Sequence, residues 1–138
     1  MESYTLFADG GARGNPGPAG AGAVVYDNDQ NIVGEISKFL GEKTNNWAEY
    51  EALICGLGAI KKQAKELSNT TVVVKLDSEL IVKQMRGEYK VKHPELKKQF
   101  ARVQDLIVDF AEVTFTHVPR EENTVADQLA NDAMDRGS

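Results

Sequence analysis

A chain of 138 residues is long enough to bury a core as one domain, and its net charge of −5 excludes a uniformly basic nucleic-acid binder. A single cysteine, Cys55, excludes an internal disulfide framework and a multi-cysteine zinc site and fits a reducing compartment. No apolar run approaches the roughly 18 residues of a membrane span, so no membrane partner is expected; the further expectations are a cytoplasmic location, a monomer, and one domain over residues 1–138 with its core from 4 to 134 and a tail at 135–138.

The first predicted elements are strands at Thr5–Asp9, Ala23–Tyr26 and Ile32–Phe39, an antiparallel meander. A glycine-rich turn joins the first two, and Asp27–Asn31 joins the second to the third. In the turn, Gly10, Gly11, Gly14, Gly17, Gly20 and Gly22 are read as residues that permit positive φ or a ligand's close approach, with Pro16 and Pro18 stiffening them. Trp47, Tyr50, Leu53, Ile54, Leu57, Ile60 and Ala64 then recur every three or four residues, the spacing of an amphipathic helix whose stripe is core. Thr44, Asn45 and Asn46 are its cap candidates.

Thr71–Leu76 is β-branched and apolar apart from Lys75, which predicts an inner strand covered on both faces. It ends at Asp77, where Ser78 can cap a helix over Glu79–Arg86 that Gly87 stops. Pro94 opens the next helix, with Leu96, Phe100, Val103, Ile107 and Phe110 inward and Lys97, Lys98 and Arg102 outward. Around it Lys83, Arg86, Lys90, Lys92, Lys97, Lys98 and Arg102 stand against only Glu88 and Glu95, a basic window in an acidic chain. Glu112–Val118 alternates as a last strand, and Asn123 or Thr124 caps a last helix through Met134. A meander followed by strand and helix units predicts an α/β mixed sheet with helices on its faces.

Four acids, Asp9, Glu49, Asp77 and Asp127, each flank an apolar pattern at a strand end or a helix's first turns. An unpaired buried carboxylate costs several kcal/mol or takes a proton, so acids placed this way imply use. Converging carboxylates persist if protons or hard cations neutralise them, and oxygen ligation suits Mg²⁺ or Mn²⁺ better than Zn²⁺. Two such ions about 3.5 to 4 Å apart serve phosphodiester hydrolysis. No GK[ST] follows the glycines, no GxGxxG opens a helix, and neither Asp9 nor Asp77 begins an Asp-Thr/Ser-Gly triplet. A P-loop, a dinucleotide fold and an acid protease are thereby set aside.

The stretches ADGGARGNPGPAGAGAVV, TNNWAEYEAL, LDSELIVKQM and HVPREENTVADQLAN resemble, in order and spacing, the four acidic motifs of type 1 ribonuclease H. The resemblance runs from Tyr4 to Met134. It implies a ribonuclease H-like fold, a five-stranded mixed sheet of three antiparallel and two parallel strands, with the Asp9 strand central beside the Asp77 strand. It also implies two Mg²⁺, replaceable by Mn²⁺, on Asp9, Glu49, Asp77 and Asp127, and endonucleolytic cutting of the RNA strand of an RNA/DNA hybrid to 3′-hydroxyl and 5′-phosphate ends. Gly10, Gly11, Asn15, Asn45, Asn46 and Glu79 fall at substrate-contacting positions, Glu79 in place of a common glutamine. Thr44 matches a residue that holds a DNA phosphate, while Glu42 stands where an arginine often helps, leaving Lys43 or His93 to rebuild that pocket. The basic protrusion of longer relatives is missing between Gly87 and Pro94, so Lys90, Lys92, Lys97 and Lys98 must serve instead. Arg120 is taken for the loop histidine of many relatives, and His117 for a satisfied strand residue. The rival readings are a non-catalytic hybrid-binding domain and a same-fold DNA strand-transfer or junction nuclease.

Overall fold

The computed structural model describes Met1–Ser138 in full. Strands β1 (Glu2–Ala12), β2 (Gly17–Tyr26) and β3 (Ile32–Lys43) lead into helix α1 (Asn45–Gln63). Strand β4 (Thr70–Leu76), helices α2 (Glu79–Met85) and α3 (Pro94–Ile107), strand β5 (Glu112–His117) and helix α4 (Thr124–Arg136) follow. The sheet order is β3-β2-β1-β4-β5, antiparallel among the first three and parallel from β1 through β4 to β5. The expected mixed sheet and its central Asp9 strand are therefore present.

Both long hairpin strands run further than their apolar cores, because the glycines expected in the turn lie in the strands. Only Gly14 among them has positive φ, at 104°. The others thin the sheet where helices press on it. A Cβ on Gly10 would overlap the backbone of Ala48 in α1, and one on Gly56 of α1 would overlap Leu6. On the other face, side chains at Gly20 and Gly22 would meet the carbonyls of Ala130 and Ala126 in α4. These glycines let α1 and α4 lie against opposite faces of the same two strands, which brings Glu49 and Asp127 to the end of β1.

The main core lies on the α1 face, where Leu6, Ala8, Val25, Leu53, Leu57, Val74 and Leu76 are fully enclosed. Helix α1 is buried nearly all round its first half because α3 packs alongside it in the same direction, His93 lying near Thr44 and Asp109 bonding Lys61 at 2.8 Å. Polar bonds fix the helices: Tyr50 Oη donates to Gln84 Oε1 (2.7 Å), and Glu51 Oε1 accepts from Gln99 (3.0 Å) and Arg102 (2.7 Å). Trp47 and Ala64 depart from the expected buried stripe; both are half-buried, and Trp47 carries Lys43 Nζ 4.3 Å above its ring.

Two further expectations change. Strand β4 is not covered on both faces, since α4 packs chiefly on β1–β3. Val73 is 38% exposed, and Lys75 rests its ammonium 5.3 Å from the Phe7 ring. Helix α4 runs past Met134 to Arg136, whose guanidinium donates to Ser37 O at 2.9 Å.

Candidate active site

The carboxyl ends of parallel strands β1 and β4 open into a cleft of about 940 Å³, where open α/β sheets place their ligands. Asp9 lies near the end of β1, Asp77 just past β4, Glu49 on the second turn of α1, and Asp127 on the first turn of α4. One oxygen from each of Asp9, Glu49 and Asp77 falls within 4.8 Å of the others. Asp127 stands outside that trio but lines the same cleft and hydrogen-bonds Asp9 when a proton is shared.

Each acid is held by local bonds. Thr44 Oγ1 accepts from Trp47 N (3.2 Å) and starts α1, while Ser78 Oγ accepts from Ile81 N (3.3 Å) and starts α2 beside Asp77. Asn123, expected as a cap, makes no side-chain cap bond. Its amide instead donates to Ala8 O at 3.0 Å, tying the start of α4 to the strand that carries Asp9. The Arg13–Pro16 turn is fastened to α1 through Ala12 N to Asn45 Oδ1 (2.8 Å) and Asn45 N to Asn15 Oδ1 (3.0 Å). Neither side-chain NH₂ group is used in these bonds.

Electrostatically the cluster is frustrated. Burial first, then hydrogen bonding to Asp127 and the charges of Asp77 and Asp127, push Asp9 from 3.8 to about 8; Arg120 opposes the rise. Burial, then the charges of Asp9 and Asp77, raise Glu49 well above its ordinary value, with the Gly10 N–H opposing. Glu49 Oε1 is buried without a hydrogen-bond partner. An orphaned carboxylate oxygen beside two more carboxylates, in an all-oxygen donor set, fits a hard divalent cation.

Arg120, the residue expected to act as the loop cation, lines the cleft. His117 does end β5, paired with Leu76 in the sheet, yet it is exposed and its side chain makes no hydrogen bond, so it is not the satisfied strand histidine expected. Glu79 lies outside the cleft and pairs with Lys83 at 2.9 Å. Gly10, Gly11 and Asn45 line it. A second depression of about 360 Å³ joins Asn15, Asn46 and Trp47 with Glu42, Lys43, Thr44 and His93, the last four being the side chains expected around a DNA phosphate. Lys97 and Lys98 stand apart on α3, Lys97 lining a third depression with Tyr89 and Lys90, and Lys98 paired with Glu95 at 3.4 Å. Sequence reasoning missed Arg13 and Asn131, which line the acidic cleft; an arginine inside the glycine run was the available signal.

A sheet in this order with an acidic cleft where β1 and β4 end defines a ribonuclease H-like domain. The family described as Reverse transcriptase-like matches residues 7–133. The Bifunctional protein Rv2228c of Mycobacterium tuberculosis is 50% identical over 131 residues, which cover 94% of this chain but 35% of that protein. Ribonuclease H of Hydrogenovibrio crunogenus is 33% identical over 153 residues, covering 98% of this chain and 97% of the relative. The crystal structure of LC11-RNase H1 in complex with RNA/DNA hybrid superposes with a TM-score of 0.91 at 47% identity, over 96% of this chain and 97% of that one. The chain belongs to the ribonuclease H family.

Proposed function

We propose that this chain cuts the RNA strand of RNA/DNA hybrids endonucleolytically, using Mg²⁺ or Mn²⁺ and leaving 3′-hydroxyl and 5′-phosphate ends. The observation that carries this reading is the trio Asp9, Glu49 and Asp77, with ligand oxygens within 4.8 Å and Glu49 Oε1 unpartnered at the floor of an open cleft. Without metal the cluster is relieved only by taking up protons, and its acids offer a phosphate backbone no cation, so binding alone gives it no use. The hybrid bound to LC11-RNase H1 supports the choice of substrate.

Asp9, Glu49 and Asp77 would hold two ions, with Asp127 completing the set from the wall of the cleft. When bound, the ions supply positive charge to the scissile phosphate and a more acidic water. The chain's own residues do the rest. Arg120 stays cationic at working pH and draws the phosphate toward the acids, easing departure of the cleaved end. At Gly11 a Cβ would meet only Asn45 Oδ1 at 3.7 Å, whereas the Gly10 position is turned to α1; both residues line the cleft, and their main chain can read 2′-hydroxyls, the group that tells RNA from DNA. The amides of Asn15, Asn45 and Asn46 offer donors along the same edge. Thr44, Lys43 and His93 would seat a phosphate of the DNA strand, and Lys97 and Lys98 would add charge further along.

The lone free thiol of Cys55 supports a reducing, cytoplasmic setting, and no helix is long and apolar enough to cross a membrane. A monomer of one domain suffices for this chemistry, since all four acids come from one chain. The test is incubation with matched labelled RNA/DNA, RNA/RNA, DNA/DNA and single-stranded RNA, with and without Mg²⁺. Cutting confined to the RNA of the hybrid and dependent on metal is expected; tight hybrid binding without cutting would leave a binding domain instead.

A further inference from the structure

Two arginines line the acidic cleft, and Arg120 accounts for only one. Arg13 projects from the β1–β2 turn, 47% exposed, and its Nη2 contacts Asp135 Oδ1 at 2.6 Å and Asn131 Oδ1 at 3.4 Å. Both partners belong to α4, which also carries Asp127. Asp127, Asn131 and Asp135 follow one another at four-residue spacing, so they form a row along one side of the helix. At 1.5 Å per residue the row places the Arg13 guanidinium about 6 to 12 Å along the α4 axis from Asp127.

We propose that Arg13 grips a backbone phosphate of the cut strand a short way from the scissile bond, and that Asp135 is the counter-ion which holds it ready. The inference rests on the hybrid-cleaving reading above and deepens it. An offset of about 6 to 12 Å is on the order of a few phosphate spacings along one strand of a duplex. The Arg13–Asp135 pair is exposed on both sides, and such pairs contribute little to stability. A planar guanidinium makes two parallel bonds to a phosphate as well as to a carboxylate, so exchanging one for the other costs little geometry. The backbone beneath is fixed, since Arg13 N donates to Pro18 O at 2.8 Å and Ala12 N donates to Asn45. The side chain can therefore turn without disturbing the strand that carries Asp9. In a cleft dominated by carboxylates, a cation at this distance draws the strand in without competing for the ions.

The test compares wild type, Arg13→Gln, Asp135→Asn and the double variant on a short labelled hybrid in Mg²⁺ over a range of salt, with the melting temperature of each. Arg13→Gln should raise KM about three- to tenfold, change kcat less than about twofold, and reduce the salt slope by about one contact. Asp135→Asn should lower KM about two- to threefold, but only while Arg13 is present. A lowered melting temperature with unchanged KM and salt slope in Arg13→Gln would make the pair a structural strut and overturn the proposal. An equal gain from Asp135→Asn in the Arg13→Gln background would mean that removing any acid suffices, and would overturn the counter-ion role. If wild type leaves the hybrid uncut, the nuclease reading fails, and anisotropy of the labelled hybrid with the same variants still decides the phosphate contact.

Discussion

Replacing Asp9 by Asn should make the metal-free protein more stable at alkaline pH and leave it unchanged in acid. The folded chain holds the Asp9 proton up to about 8, against 3.8 for a free aspartate. A carboxyl whose pKa rises on folding binds its proton more tightly in the folded state. Its ionised form therefore opposes folding, and stability falls as pH rises from about 4 to about 8, where the penalty is complete. Each unit corresponds to about 1.36 kcal/mol, which sets an upper bound on the order of 6 kcal/mol. Because a proton held at Asp9 also relieves Glu49 and Asp77, a penalty on the order of 2–3 kcal/mol is the working figure. At about 3–4 °C per kcal/mol for a chain of this size, that is a shift of roughly 6–12 °C. Thermal melting in EDTA from pH 4 to 9 should show wild type losing stability across the window while Asp9→Asn loses much less. Mg²⁺ at about 100 times its Kd should restore about 2.7 kcal/mol to wild type at pH 8, and far less to Asp9→Asn. Parallel profiles for the two proteins, or a wild type that gains stability between pH 5 and 8, would refute the reasoning.

The remaining predictions concern substrate contacts and packing. Arg120→Ala should cut turnover roughly tenfold or more, about 1.4 kcal/mol of barrier, without unfolding. His117→Ala, exposed and unbonded as that side chain is, should alter neither hybrid cleavage nor melting temperature; an inactive His117→Ala beside a normal Arg120→Ala would reverse the assignment. Lys97 and Lys98 replaced together by Ala should raise KM more than they lower kcat and flatten the salt dependence, and an unchanged salt slope would return them to a solvated helix face. Gly22→Ala should destabilise by about 1–3 kcal/mol through overpacking and lower kcat as well. The added methyl meets the Ala126 carbonyl and displaces the helix that carries Asp127, so a fully active, equally stable variant would contradict that account of α4.

The four acids were legible because a carboxylate at the end of an apolar run is anomalous within a few residues of sequence. The strand order followed from the meander and from the resemblance. The glycines were misread because their reason is not local: Gly10 and Gly22 answer to Ala48 and Ala126 across the fold. Arg13 was overlooked for the same cause, its partner Asn131 lying 118 residues away. Asn123 was recognised as a helix start, but its bond to Ala8 O spans 115 residues and has no sequence signature. Nor does periodicity say how far a helix extends over a sheet, which is why β4 was expected to be covered on both faces.

The central claim is that three converging carboxylates make a metal-dependent RNA cutter. Its most direct test follows wild type and Asp77→Asn on a hybrid labelled on both strands, in Mg²⁺, Mn²⁺ and EDTA, with the ends of the products identified. Wild type should cut only the RNA strand, only with metal, to 3′-hydroxyl and 5′-phosphate ends, and Asp77→Asn should be folded and nearly inactive. Cutting in EDTA, cutting of the DNA strand, or a fully active Asp77→Asn would contradict it.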